Sequence, residues 1–223
     1  MQRIVDLTHT LSEKIPFWDG SCGFEIDITL DYKDSTPPDL FRTQKIKMNA
    51  GIGTHIDAPA HCIEGGKTIE RLSMDELVVD CVVIDVSASA DENYVVSKEV
   101  VENFERNNGI IKENTFIIIH TGWEKYWNES LKYVNNHNFP SVSKEAGELF
   151  VSRNIAGLGI DTLSVDTGHS GFPVHRSILG AGKYLVENVA NASKLPTTGA
   201  KIFIMPMKIE GATEAPVRLV AML

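Results

Sequence analysis

Residues 53–61 read Gly-Thr-His-Ile-Asp-Ala-Pro-Ala-His and place His55, Asp57 and His61 within seven positions. Side chains two apart in an extended strand leave the same face, so His55 and Asp57 can converge on one point. Imidazole nitrogen and carboxylate oxygen are good ligands for zinc, manganese or ferrous iron. His61 follows a turn centred on Pro59, which can set it above such an ion without binding it. The chemistry these residue types suggest is metal-assisted hydrolysis. Three unrelated surface polar residues would be the alternative, but ligand types usually scatter rather than cluster in this way.

Two ligands from one strand do not hold a catalytic ion, so others must come from elsewhere in the chain. The distant histidines are His9, His120, His137, His169 and His175. His137 lies in a polar Asn-Asn-His-Asn run and His9 follows a short N-terminal strand, which suits a turn or a cap. His175 and Glu187 are twelve residues apart. That is a little over three turns of a helix and returns to a similar face. An exposed helix carboxylate is the competing reading of Glu187. His120 ends the run Phe-Ile-Ile-Ile-His, at a strand terminus where sites often form. A histidine bonded to the backbone fits that place equally well.

The elements that must position these residues are mostly strands. Apolar or alternating runs predict them at 4–7, 24–32, 45–48, 77–86, 115–120, 155–160, 201–205 and 217–222. Residues 24–32 alternate as a half-buried strand does, and 77–86 reads as a central one. Helices are fewer. Ser73 and Glu76 have capping-box spacing for a very short one. Ser97 caps a helix over 98–106 with Val100, Val101 and Phe104 inward. A helix over 144–153 would bury Ala146, Leu149 and Phe150, and a third is predicted over 177–192, although Gly180 and Gly182 weaken its start. The paired prolines in 34–38 mark a loop or lid.

With 223 residues, 43% hydrophobic and 23% charged, the chain suits one globular domain, 1–223, of mixed α/β class. A formal charge of −9 without a basic block disfavours nucleic acid and anionic membrane as partners. Three cysteines, Cys22, Cys62 and Cys81, form no CxxC pair and fit a reducing compartment. Asp6 stands where a signal peptide would be apolar, and no run is long enough to span a membrane. A cytoplasmic protein acting on a small molecule is the expectation.

Read together, the segments resemble the cyclase family of metal-dependent hydrolases, which includes bacterial kynurenine formamidase and isatin hydrolase. The 53–61 stretch looks like the family signature. Asp6-Leu-Thr-His-Thr-Leu, Pro16-Phe-Trp18, Thr121-Gly122-Trp123, Gly159–Asp166, His175, Glu187-Asn188, Pro206-Met-Lys-Ile and Ala215-Pro-Val-Arg218 match its other segments in order. The resemblance implies a swivelling β/β/α fold, a mixed sheet with a few flanking helices, and assembly as homodimers or homotetramers. It implies one or two divalent ions, Zn²⁺ first and Mn²⁺ next, held by His55, Asp57, His175 and Glu187, with Asp57 able to bridge a pair. It implies His61 as general acid/base and Trp18 as a wall of the substrate pocket. The substrate class it implies is an amide, formamide or cyclic amide. One position departs from the signature, because the histidine expected four residues before His55 is Gly51 here. His120 is the first candidate to supply the missing nitrogen and His169 the second. A protein that has kept the site only to bind a small molecule or metal is the alternative function. Arg42 or Arg218 could meet a substrate carboxylate, and Phe17 or Phe41 could join Trp18 as apolar walls.

Overall fold

The computed structural model describes residues 3–20 and 23–223, so Cys22 lies outside the described residues. Its centre is a mixed sheet that closes on itself. The strands are β1 (Ile4–Asp6), β4 (His55–Asp57), β5 (Val78–Asp85), β7 (Thr115–His120), β9 (Gly157–Ile160), β10 (Tyr184–Glu187), β11 (Ala200–Pro206) and β12 (Glu214–Met222). They run in the order β1-β12-β11-β5-β7-β9-β10-β4, and β12 also pairs with β4. That last pairing makes a seven-strand barrel with β1 attached outside it. The arc β5-β7-β9-β10 is parallel, and β11, β12 and β4 join antiparallel. Two further two-stranded pieces are β2 (Phe24–Leu30) with β3 (Thr43–Met48), and β6 (Val95–Val96) with β8 (Ser141–Val142).

The parallel strands are buried on both faces, which is why they read as continuous apolar runs. In β7, Phe116 and Ile118 join the barrel interior, while Ile117 and Ile119 face a second core. That second core lies under α2 (Lys98–Asn108), α4 (Lys144–Ser152) and α5 (Pro173–Gly180). Ser97 and Ser143 cap the first two of these helices through bonds to Val100 N–H and Ala146 N–H. The short helix α1 (Met74–Leu77) carries the capping box of Ser73 and Glu76. A fifth helix, α3 (Ser130–Val134), was not foreseen. Gly159 in β9 serves the core by its lack of a side chain, since a Cβ there would stand 2.8 Å from the Phe116 ring.

Two expectations are corrected. The helix predicted over 177–192 is instead the end of α5 followed by β10. α5 starts earlier, at Pro173, and stops at Gly180. Gly182 adopts φ +75°, and the chain re-enters the sheet at Tyr184. Glu187 therefore sits on a strand and not three helical turns from His175. The alternation at 24–32 forms a strand but not a half-buried one. β2 and β3 are a ribbon whose Ile26, Ile28 and Ile46 are exposed, and only Phe24 of β2 is buried.

Candidate metal centre

β4 is three residues long and is paired on both sides. Opposite it, Glu187 of β10 faces His55, and Glu214 of β12 faces Asp57. Directly opposed residues on antiparallel neighbours project from the same face. His55, Asp57, Glu187 and Glu214 therefore rise together at the seam where the barrel closes, while Ile56 turns into its core. α5 then brings His175 over this seam.

The donor atoms converge. His55 Nε2 is 3.5 Å from Asp57 Oδ1 and 3.5 Å from Glu187 Oε2. His175 Nε2 is 3.7 Å from Asp57 Oδ2 and 3.4 Å from Glu187 Oε1. Asp57 and Glu187 each turn one oxygen to each histidine, so they stand between two adjacent positions. Ligand atoms about 2.0–2.1 Å from an ion at tetrahedral angles are about 3.4 Å apart, close to these spacings. All four residues are no more than 5% exposed. Asp57 Oδ1 is buried without a hydrogen-bond partner, a state that costs free energy unless a cation meets it.

The other ring nitrogens are occupied, which orients both imidazoles. His55 Nδ1 lies 2.9 Å from Gly53 O, and the same oxygen accepts Asn188 Nδ2–H at 2.8 Å. Thr54 Oγ1–H donates in turn to Asn188 O. His175 Nδ1 lies 2.8 Å from Asp166 Oδ2, and the Asp166 carboxylate also accepts the N–H groups of Val174 and His175. Each ring thus directs Nε2 at the carboxylates, the usual arrangement behind a metal-binding histidine. A divalent ion fits this donor set.

Electrostatics point the same way. Burial alone would make His55 less basic, but the carboxylates of Glu187 and Asp57 outweigh it and raise it to about 9. His175 is likewise driven well above the usual histidine range, with Asp166, Asp57 and Glu187 overcoming its burial. Glu187 is pushed well below the usual carboxylate range, because the two histidines outweigh its burial. The buried carboxylates and imidazoles of the site are thus strongly coupled in charge.

His61 ends a short 3-10 turn, Pro59–His61, and its ring centroid is 6.1 Å from that of His175. Its Nδ1 is 3.4 Å from Glu214 Oε2, which raises its basicity. His61 also lies close enough to Asp57 and His175 to share an ion with them. A cleft of about 520 Å³ opens above these groups, with Phe17, Trp18, Leu163 and Phe172 among its walls.

The other candidates lie elsewhere. His120 ends β7, separated from β10 by β9, and its Nδ1 is 3.0 Å from Asp85 Oδ1. It is not among the residues lining the cleft, so the structure does not bring it to the gap at Gly51. His169 is exposed and also outside the lining. His9 stacks on Trp127 at 3.8 Å, and His137 stacks on Trp18 at 4.1 Å, with Nε2 2.8 Å from Trp18 O. Arg42 pairs with Asp31 and Arg218 with Asp6, and Phe41 is exposed. Thr121 and Gly122 serve a buried turn, where the Asp161 carboxylate accepts both their N–H groups and the Thr121 hydroxyl.

Comparison with known proteins agrees with this geometry. The Cyclase family model matches residues 5–167. The chain belongs to the cyclase family. It is 27% identical to isatin hydrolase of Roseibium aggregatum, over 98% of this chain and 91% of that protein. It is 23% identical to kynurenine formamidase of Erythrobacter litoralis, over 93% and 88%. Among solved structures, isatin hydrolase A from Labrenzia aggregata, bound to benzyl benzoate, superposes with a TM-score of 0.89. That match has 31% identity and covers all of this cyclase-family chain and 94% of the other.

Sequence reasoning missed three residues of the site. Asp166 lay inside a matched segment without being given a role. Phe172 and Glu214 were not singled out.

Proposed function

We propose that this protein is a metal-dependent hydrolase of a small amide, formamide or cyclic amide carried on an aromatic ring. The observation that carries the reading is the buried set His55, Asp57, His175 and Glu187 beneath His61, with Asp57 Oδ1 left without a hydrogen-bond partner among the described residues. The similarity to isatin hydrolase and kynurenine formamidase supports a C–N bond as the target. The aromatic walls Trp18 and Phe172 suit a flat ring.

In this reading His55, Asp57, His175 and Glu187 hold one or two divalent ions, zinc or manganese. When bound, such an ion supplies Lewis acidity toward a carbonyl oxygen and makes water acidic near neutral pH. Asp166 and the Gly53 carbonyl fix the two imidazoles. His61 stands on the open side and takes a proton from water through Nε2, its Nδ1 being turned to Glu214. It then returns that proton to the departing nitrogen, which leaves poorly as an anion. Glu214 holds the opposite side of the His61 ring. Trp18 and Phe172 hold the aromatic part of the substrate. We also place the protein in the cytoplasm as one 1–223 domain that forms a homo-oligomer, with the exposed ribbon of Ile26, Ile28 and Ile46 offering an apolar face.

The test is elemental analysis of the purified protein, followed by assays with an aryl formamide and an aryl lactam in Zn²⁺ or Mn²⁺. Hydrolysis of either substrate that chelator abolishes supports the reading. A metal-loaded protein inert toward both would refute the catalytic part of it and leave a binding protein.

A further inference from the structure

We propose that Glu214 is the fourth protein ligand on the His55 side of this centre, and that it makes that position oxygen-rich and suited to Mn²⁺. The inference rests on the metal-dependent reading above and concerns a residue outside the set given there.

The first observation is steric. Gly51 lines the cleft, and its backbone is not in the left-handed region that favours glycine. What excludes a side chain is occupancy. A Cβ at position 51 would overlap Glu214 Oε1 and stand 3.4 Å from His55 Nε2. The Glu214 carboxylate therefore fills the volume beside the metal-facing nitrogen of His55, and Gly51 is the residue that leaves this volume open.

The second observation is register. Glu214 is opposite Asp57 across the β12–β4 pair, so both carboxylates leave the same face. Asp57 Oδ1, 1% exposed by residue and without a partner, points to this same side, 3.5 Å from His55 Nε2. Glu187 Oε2 completes the group. Ligand atoms of His55, Asp57 and Glu187 lie within 4.8 Å of one another, and Glu214 Oε1 stands at the edge of this group, in the volume a side chain at position 51 would take beside His55 Nε2.

The third observation is how Glu214 is held. Its Oε2 is 3.4 Å from His61 Nδ1, while Oε1 is the atom turned to the space left open by Gly51. A ligating carboxylate that is itself hydrogen-bonded is the common arrangement at metal sites. One nitrogen with three carboxylates is a hard donor set. Such sets favour manganese over zinc more than imidazole-rich ones do. The second position, with His175, keeps its own nitrogen and does not involve Glu214.

The experiment measures binding of Mn²⁺ and Zn²⁺ by calorimetry and elemental analysis. It compares the wild type with Glu214→Ala, Glu214→Gln, Gly51→Ala and the double variant Gly51→His/Glu214→Ala. Circular dichroism and urea denaturation establish that each is folded. Glu214→Ala and Glu214→Gln are expected to weaken one class of Mn²⁺ site at least about tenfold and spare the other. Gly51→Ala, which displaces the carboxylate without removing it, should do the same. The double variant should recover binding with preference moved toward Zn²⁺. Wild-type Mn²⁺ affinity and stoichiometry in folded Glu214→Ala would overturn the assignment while leaving the metal-dependent reading intact. A wild-type protein that binds neither ion would overturn both.

Discussion

Replacing Asp166 separates the support of the site from its ligands. This carboxylate is 1% exposed and accepts three hydrogen bonds, from Val174 N–H at 3.2 Å, His175 N–H at 2.9 Å and His175 Nδ1–H at 2.8 Å. It does two things at once. It caps the first turn of α5, where Pro173 has no N–H and Phe172 is already in the left-handed region. It also fixes the tautomer that turns His175 Nε2 toward Asp57 and Glu187. Asp166→Ala leaves two buried N–H groups and one ring nitrogen without partners. At about 1–3 kcal/mol for each unsatisfied group, and with losses that do not add fully, the expected destabilisation is about 3–5 kcal/mol. Asp166→Asn keeps one oxygen, which can serve His175 while its amide faces Val174 N–H, so about 1–2 kcal/mol is expected. Metal affinity at the His175 position should fall about 10–100-fold in the alanine variant. Urea denaturation of the metal-free protein reads the first effect, and titration with Zn²⁺ or Mn²⁺ reads the second. If Asp166→Ala stays within 1 kcal/mol of wild type in urea and within about twofold in metal affinity, Asp166 neither caps α5 nor orients His175.

Two other predictions address the acid/base group and the pH response. His61→Ala should abolish amide hydrolysis while elemental analysis finds metal still bound, and near wild-type turnover in that variant would remove His61 from the proton-transfer role. His9 is half-buried against Trp127, and loss of solvation lowers it from 6.5 to about 4. The unfolded chain then takes up a proton near pH 6.5 that the folded protein refuses until about pH 4. Stability from this residue is complete above pH 6.5 and falls between 6.5 and 4, by up to roughly 3 kcal/mol. His9→Phe keeps a ring on Trp127, so the wild-type-minus-variant difference in urea stability should change across that window, and a flat difference would count against a half-buried neutral His9.

How much of this was legible in the sequence depended on whether a side chain's partners were near it in the chain. His55 and Asp57 were readable because i and i+2 on a strand need no tertiary knowledge. The capped helices α2 and α4 were readable because their caps and apolar faces are local. β10 was not. Its four residues Tyr-Leu-Val-Glu are buried on both faces and show no alternation, so they joined the helical pattern of Ile178 and Leu179 across Gly180 and Gly182. Glu187 as a candidate ligand rests on the family resemblance, and its helical spacing from His175 was the wrong reason, since it lies on β10. The ribbon β2–β3 misled in the opposite sense, because alternation signals a strand but not what covers its apolar face. Glu214 lies before the last strand predicted from the sequence, 217–222, with Pro216 between. A proline is tolerated there because β12 changes partner at that point. Residues 214–216 pair with β4, and Val217 begins the pairing with β11.

That change of partner connects the fold to the chemistry. β4 carries two donors in three residues, and a strand so short has little pairing of its own. It is fixed by β10 on one side and β12 on the other, and the residues it meets there, Glu187 and Glu214, are carboxylates. Closing the barrel thus brings Asp57, Glu187 and Glu214 together with His55, His61 and His175 as the nearby cation-capable groups among the described residues. Like charges at a seam oppose closure, and the raised basicity of His55 and His175 is the protein's partial answer in the absence of a metal. A divalent ion would answer it more completely, because Asp57 Oδ1 has no hydrogen-bond partner among the described residues. Binding and closure are then linked: an ion that binds the closed seam and not the open one stabilises the folded barrel in proportion to the logarithm of its concentration over its dissociation constant. A metal held there, as proposed above, would be part of the architecture, because His55 and Asp57 lie on the closing strand rather than on a loop above a finished barrel.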